Sequence, residues 1–131
     1  MKALTIHQPY AHLIVTGEKR VENRTWATKH RGPLLIHAGK SREWLGCEDP
    51  ASYVMGAIVG VVDLIDCQPI ERITAGELDR QYPWLKRHEH ANGPWCWILG
   101  GARQITPAQW KGAQGLWNVS DITAADLLKG N

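Results

Sequence analysis

The stretch that decides the fold is KALTIHQPYAHLIVTGEKRVENRTW (Lys2–Trp26), followed shortly by RGPLLIHAGK (Arg31–Lys40). Lys2–Ile6 reads as a short strand. Pro9 suits the first turn of a helix, where its missing N–H would have no partner anyway. Tyr10, Leu13 and Ile14 then recur at helical spacing, and Gly17 can take the left-handed conformation that ends a helix. The spacing therefore predicts a two-turn helix over 9–16. Val21–Trp26 alternates without a plainly apolar face: Glu22, Arg24 and Trp26 share one side, Val21, Asn23 and Thr25 the other. Pro33–Ala38 is the opposite, because Leu34, Leu35 and Ile36 fill both faces, which predicts a central buried strand with His37 drawn toward the core. Tight connections thus bring His7, Gln8, Lys19, Glu22, Arg24, Trp26, His37 and Lys40 back toward one another, which is how a pocket is built.

Outward from this segment, Glu43–Tyr53 reads as a short irregular crossing punctuated by Pro50. GAIVGVVDLIDC (Gly56–Cys67) is the longest strand signal, rich in β-branched residues, with Gly60 marking a bulge or bend. Asp63 within it reads as a satisfied barrel carboxylate or a bulge partner. The pattern loosens from Gln68 to Gly93, with one helix predicted near Thr74–Gln81. Pro94–Ile105 returns to strand, placing Trp95, Trp97 and Leu99 on one face. KGAQGLWNV (Lys111–Val119) is a glycine-bearing turn into a last strand, and Asp121 could cap a helix over Ile122–Lys129. Five or six strands, one of them bent, with a few short helices predict an α+β fold: a small, mixed, partly closed β-barrel. No regular βαβ alternation supports a doubly wound sheet, and no repeat or linker divides the chain.

At 131 residues the length predicts a single domain over 1–131. Lys and Arg total 15 against 13 Asp and Glu, and a net charge of +2 is too small to argue for nucleic acid from bulk charge. Seven Trp, three Tyr and no Phe mean that every aromatic ring carries a polar handle, which suits either a Trp-rich core or a stacking platform. Cys47, Cys67 and Cys96 are odd in number and far apart, and the six His form no HExxH, so neither a disulfide framework nor a metal site is expected. No cofactor is called for. His88-Glu89-His90 reads as a polar loop. Met1 precedes a strand pattern rather than a signal peptide, and no apolar run could span a bilayer, so a cytoplasmic, reduced protein without membrane contact is expected.

The signature segment, the strand at 56–67 and the closing GPWCWIL (Gly93–Leu99) and KGAQGLWNV together resemble the ASCH family (activating-signal-cointegrator homology) over Lys2–Val119. Its most specific element, Gly-x-Lys-x-x-Glu-x-Arg, is present as Gly17, Lys19, Glu22 and Arg24. The resemblance implies a PUA-like β-barrel related to RNA-binding folds, with a cleft beside the first helix and a role with RNA or coactivators. One branch of small bacterial relatives hydrolyses the acetyl amide of N4-acetylcytidine with a Lys and a Thr in this segment and a Glu further along. Lys19 stands at the Lys, Glu22 at the Thr, and Glu77 is the later candidate.

Two functional readings follow. In the first, the cleft binds RNA or a modified nucleoside: Trp26 stacks on a base, Gln8 and Glu22 bond its edge, and Lys19, Arg24 and Lys40 meet phosphate. DNA fits the same groups. His7, Gln8 and Tyr10 sit at a helix start whose N–H groups favour anions, and Lys111-Gly112 could approach a phosphate through the backbone. In the second, Lys19 and Glu22 are catalytic residues of a metal-free hydrolase of a modified nucleoside or of RNA (a ribonuclease), with Arg24 or His37 stabilising the developing charge. Each group also has a plainer use: Glu22–Arg24 as a structural ion pair, His7 and Gln8 as helix caps, His37 as a buried hydrogen-bonded ring, Trp95, Trp97 and Trp117 as core.

Overall fold

Six strands make one mixed sheet in the computed structural model, which describes residues 1–129: β1 (Lys2–Ile6), β2 (Val21–Arg24), β3 (Gly32–Ala38), β4 (Ala57–Pro69), β5 (Trp95–Gln109) and β6 (Leu116–Asn118). Their order is β2-β5-β4-β3-β1-β6, and the sheet forms a half-barrel. Only β1 and β3 run parallel, with Leu4 opposite Ile36 and Thr5 opposite His37. Three short helices complete the fold: α1 (Tyr10–Val15), α2 (Ile70–Thr74) and α3 (Asp121–Leu128).

Alternation along β1 and β3 sorts their side chains between two cores. Leu4, Ile6, Leu34, Ile36 and Ala38 pack with Ala11, Ile14 and Val15 of α1 and with Trp97. Ala3 and Leu35 point to the other face, where they pack with Ile58, Ile105, Val119 and Ala124 of α3. A third cluster joins Val21 and Ile98 to Ile73, Leu78, Tyr82 and Leu85. The bend expected at Gly60 is real: the β4–β5 register shifts there. A Cβ at Gly60 would fall 2.5 Å from Val15 Cγ1 and 2.6 Å from the Arg103 carbonyl oxygen, so the missing side chain is what seats α1 on the sheet.

Several boundaries differ from the sequence reading. α1 is shorter than expected. β2 stops at Arg24, leaving Trp26 beyond it, while β4 and β5 run on to Pro69 and Gln109. The second helix begins at Ile70 and ends at Thr74, because Gly76, at φ +78°, turns the chain where the pattern suggested continuation. Ser120, not Asp121, caps α3: its Oγ accepts from the Thr123 N–H, while Asp121 accepts from the N-terminal ammonium at 2.9 Å. Asp63 is exposed at a bulge; the satisfied carboxylate is Asp66, which accepts from Tyr82 Oη at 3.0 Å and the Cys67 N–H at 2.8 Å. No described helix is long and apolar enough to cross a membrane.

Candidate functional site

The chain leaves α1 through Gly17 and enters β2 two residues after Lys19, and this tight connection presents Lys19, Glu22 and Arg24 to one cavity. Val21 faces the apolar cluster, so Glu22 is turned the other way, opposite Trp97 in the neighbouring strand. Lys19 keeps 4% of its surface and Glu22 8%. Glu22 bridges the two cations: Oε1 lies 3.6 Å from Lys19 Nζ, and Oε2 accepts from Arg24 Nη2 at 2.8 Å and Nε at 3.0 Å. Arg24 Nη2 also donates to the Thr5 carbonyl at 3.0 Å, tying β2 to the end of β1. Lys19 Nζ sits 5.3 Å from the centre of the Tyr10 ring. Burial pulls the Lys19 ammonium below its usual range, and the Glu22 carboxylate beside it restrains the fall.

These residues line a cleft of about 580 Å³. Its mouth carries Trp26, 36% exposed, and Trp44, 52% exposed. Trp26 is propped edge-on against Trp97 at 4.8 Å, and Trp97 Nε1 donates to its carbonyl at 3.2 Å. Trp44 leans on Tyr10, with ring centres 6.2 Å apart. A further wall comes from 88–93. Asn23 holds it by donating to the His90 carbonyl at 2.8 Å and accepting from the Asn92 and Gly93 N–H groups at 3.0 and 2.8 Å. His88 Nε2 accepts the Arg20 N–H at 2.9 Å, so that ring carries its proton on Nδ1. Burial holds both His88 and His90 below the usual histidine range, and nearby positive charge adds to this. The Arg20 guanidinium caps Trp84 at 3.6 Å, closing the outside of this wall.

The cleft gathers His7, Tyr10, Lys19, Glu22, Arg24 and Trp26 from the sequence candidates. Gln8 points elsewhere: it donates to the Val54 carbonyl at 2.8 Å and accepts the His12 N–H at 2.9 Å, which fastens the start of α1. His37, Lys40 and Lys111 line a different cavity of about 730 Å³, together with Thr5, Gly112 and Gln114. The reason lies in the strand period. Thr5 and His37 fall on the Ala3–Leu35 face of their strands, opposite the face that α1 covers, and alternation alone carried that signal. His37 is 3% exposed and fully engaged, with Nε2 donating to the Trp110 carbonyl at 2.7 Å and Nδ1 3.2 Å from Thr5 Oγ1. Glu77 is spent on an exposed pair with Arg72 at 2.8 Å, outside the cleft.

Trp44, Asn23, His90 and Asn92 were not singled out from the sequence, yet all line the cleft. Trp44 lay in an irregular crossing and the 88–92 segment in a polar loop, and neither carries a local pattern that reveals where it folds back. Among the described residues no group of three or more His, Cys, Asp or Glu is placed to hold a metal ion.

The profile of the ASCH domain matches residues 4–129. The chain belongs to the ASCH domain family. This ASCH domain is 29% identical over 144 residues to human activating signal cointegrator 1, a match that covers 97% of the chain and 24% of that protein. The mouse protein of the same name is 36% identical over 105 residues, 68% of the chain and 17% of its own length. The chain thus spans a quarter or less of these two relatives. Crystal structures of ASCH from Zymomonas mobilis share the fold. One has TM-score 0.64 and 13% identity, covering 98% of this chain and 94% of that one. A serine-to-alanine mutant of the same protein has TM-score 0.60 and 15% identity, covering 97% and 93%.

Proposed function

We propose that this ASCH domain binds RNA by holding one unpaired nucleobase in the cleft beside α1. The observation that carries the reading is the Lys19–Glu22–Arg24 cluster, its first two members buried, facing a cavity whose mouth is flanked by two partly exposed tryptophans. Bases of single-stranded RNA are recognised by aromatic stacking combined with hydrogen bonds to their edges. Trp26 and Trp44 offer the rings. Glu22 offers an edge contact, and the two cations against one carboxylate leave the cavity electropositive. A modified nucleoside presents the same base face and edge, and DNA presents the same base faces without the 2′-hydroxyl. Titration of a short single-stranded RNA, followed by tryptophan fluorescence, should give binding that weakens with salt and with Trp44→Ala. Salt-independent binding, or none, would remove the reading.

A second reading rests on one further observation. Lys19 is desolvated, which lowers its pKa, and its carboxylate partner is held more closely by Arg24 than by Lys19 itself, so the neutral amine costs less here than at a solvated lysine. Such an amine can take a proton from water attacking an amide carbonyl. The cleft would then hydrolyse a modified nucleoside such as N4-acetylcytidine, or cleave RNA. Incubation with EDTA present should release cytidine or fragments with the unmodified protein and not with Lys19→Ala. Intact substrate in both would leave binding alone. The cointegrator name of the mammalian relatives describes whole proteins at least four times the matched length, and adds no residue to either reading.

A further inference from the structure

The cavity around Lys40 and Lys111 has no part in the cleft chemistry, yet it is built. Its lining holds two cations and no carboxylate. Neither Lys40 nor Lys111 is ion-paired to a described residue. The Lys111, Gly112 and Ala113 N–H groups donate to no described residue either. Successive free N–H groups beside lysines are the pattern of a phosphate cradle.

The cradle is also fixed in place. His37 is hydrogen-bonded to the Thr5 hydroxyl through Nδ1 on one side and donates from Nε2 to the Trp110 carbonyl on the other, pinning the loop to the ends of β1 and β3. A Cβ at Gly112 would fall 2.6 Å from His37 Cε1 and 2.7 Å from Thr5 Oγ1, so only glycine lets the loop lie this close. Gly56 leaves room for the Lys40 side chain, whose Cε would be 2.7 Å from a Cβ there.

The two cavities meet at a single residue. Thr5 lines both, giving its carbonyl to Arg24 on the cleft side and its hydroxyl to His37 on the other. Gly39 in the second cavity would place a Cβ 3.3 Å from Nδ1 of His7, which lines the cleft.

We propose that the second cavity is a phosphate subsite continuous with the cleft over the ends of β1 and β3, so that the ligand is a single-stranded oligonucleotide of two or more nucleotides. This deepens the binding reading and rests on it: the base sits in the cleft, and a backbone phosphate of the adjoining nucleotide reaches Lys40, Lys111 and the loop N–H groups.

The test is a titration series with cytidine, inorganic phosphate and single-stranded RNAs of one, two and four nucleotides, on the unmodified protein and on Lys40→Ala/Lys111→Ala. Affinity should rise by about tenfold or more from one to two nucleotides, the weight of one or two charge-assisted hydrogen bonds. The double variant should lose that rise and keep cytidine binding, and its salt slope should drop by about 0.7 per lost contact. Cytidine bound with no gain on lengthening, or an unchanged double variant, overturns the subsite alone and leaves the cleft reading intact. Inorganic phosphate binding that depends on both lysines, without any gain on lengthening, makes the cavity a separate anion site and overturns its continuity with the cleft. No binding of cytidine or of any RNA overturns both.

Discussion

The cleft and the second cavity open at the same end of the sheet and are built in opposite ways. The cleft holds three charges in contact, Lys19 and Glu22 buried and Arg24 half-buried, with Glu22 bridging the two cations. The second cavity leaves its two lysines exposed and draws its shape from glycines and from one buried hydrogen-bonded histidine. A buried ion cluster costs desolvation energy that apolar residues of the same volume would not, so its geometry is what it contributes. Exposed lysines cost almost nothing and contribute charge. The first arrangement suits discrimination of a base edge, the second the holding of a phosphate of any sequence.

The sharpest way to break this contrast is Glu22→Ala. It strands Lys19 and Arg24 together, and urea unfolding should show a loss of about 3–5 kcal/mol. Lys40→Ala and Lys111→Ala should each stay within about 0.5 kcal/mol. Equal, small losses on both sides would mean that the cleft charges are solvated in practice. Gly112→Ala tests the rigidity of the second cavity. Its methyl group must displace His37 or the loop, at a cost of about 1–3 kcal/mol; a neutral result would show a loop free to move. Trp44→Ala should leave stability nearly unchanged and lower RNA affinity by about 1–3 kcal/mol, whereas unchanged affinity would remove it from the stacking pair.

The smallest effect concerns the wall at 88–93. The folded-state pKa of His88 lies below the unfolded value of 6.5, so between the two the unfolded chain binds more protons. Stability therefore falls as pH drops below 6.5, as the Arg20 N–H loses its acceptor. His90, Arg20, Lys19 and Glu89 all act on this ring, and the cations among them deepen the effect. His88→Gln, which keeps an acceptor and cannot titrate, should flatten the pH profile between 5 and 7. An unchanged profile would assign the acid lability to another group.

The part of this site readable in the sequence is the part built by short connections. Gly17, Lys19, Glu22 and Arg24 lie within eight residues, and the turn after α1 leaves them little freedom in where to point. Trp44 and the 88–93 wall were not readable, because they return from remote loops and are fixed by single long-range bonds such as Asn23 to the His90 carbonyl. Gln8 illustrates a third case. Its place at a helix start was legible, but its direction depends on the Val54 carbonyl, 46 positions away. His37 was legible in burial and misplaced in face, although alternation with Leu35 and Ala3 held the answer. A sheet of five or six strands, with a bulge or bend at Gly60, was legible chiefly from the apolar and β-branched runs at 33–38 and 56–67, and the structure has six.

The most direct test of the cleft is the pair of indole N–H resonances of Trp26 and Trp44 in a ¹⁵N-labelled sample titrated with a short single-stranded RNA. Both should shift together with the backbone amides of Tyr10, Lys19 and Asn23. Saturable RNA binding that leaves both mouth indoles and the Lys19 amide unmoved would place the ligand elsewhere and contradict the account.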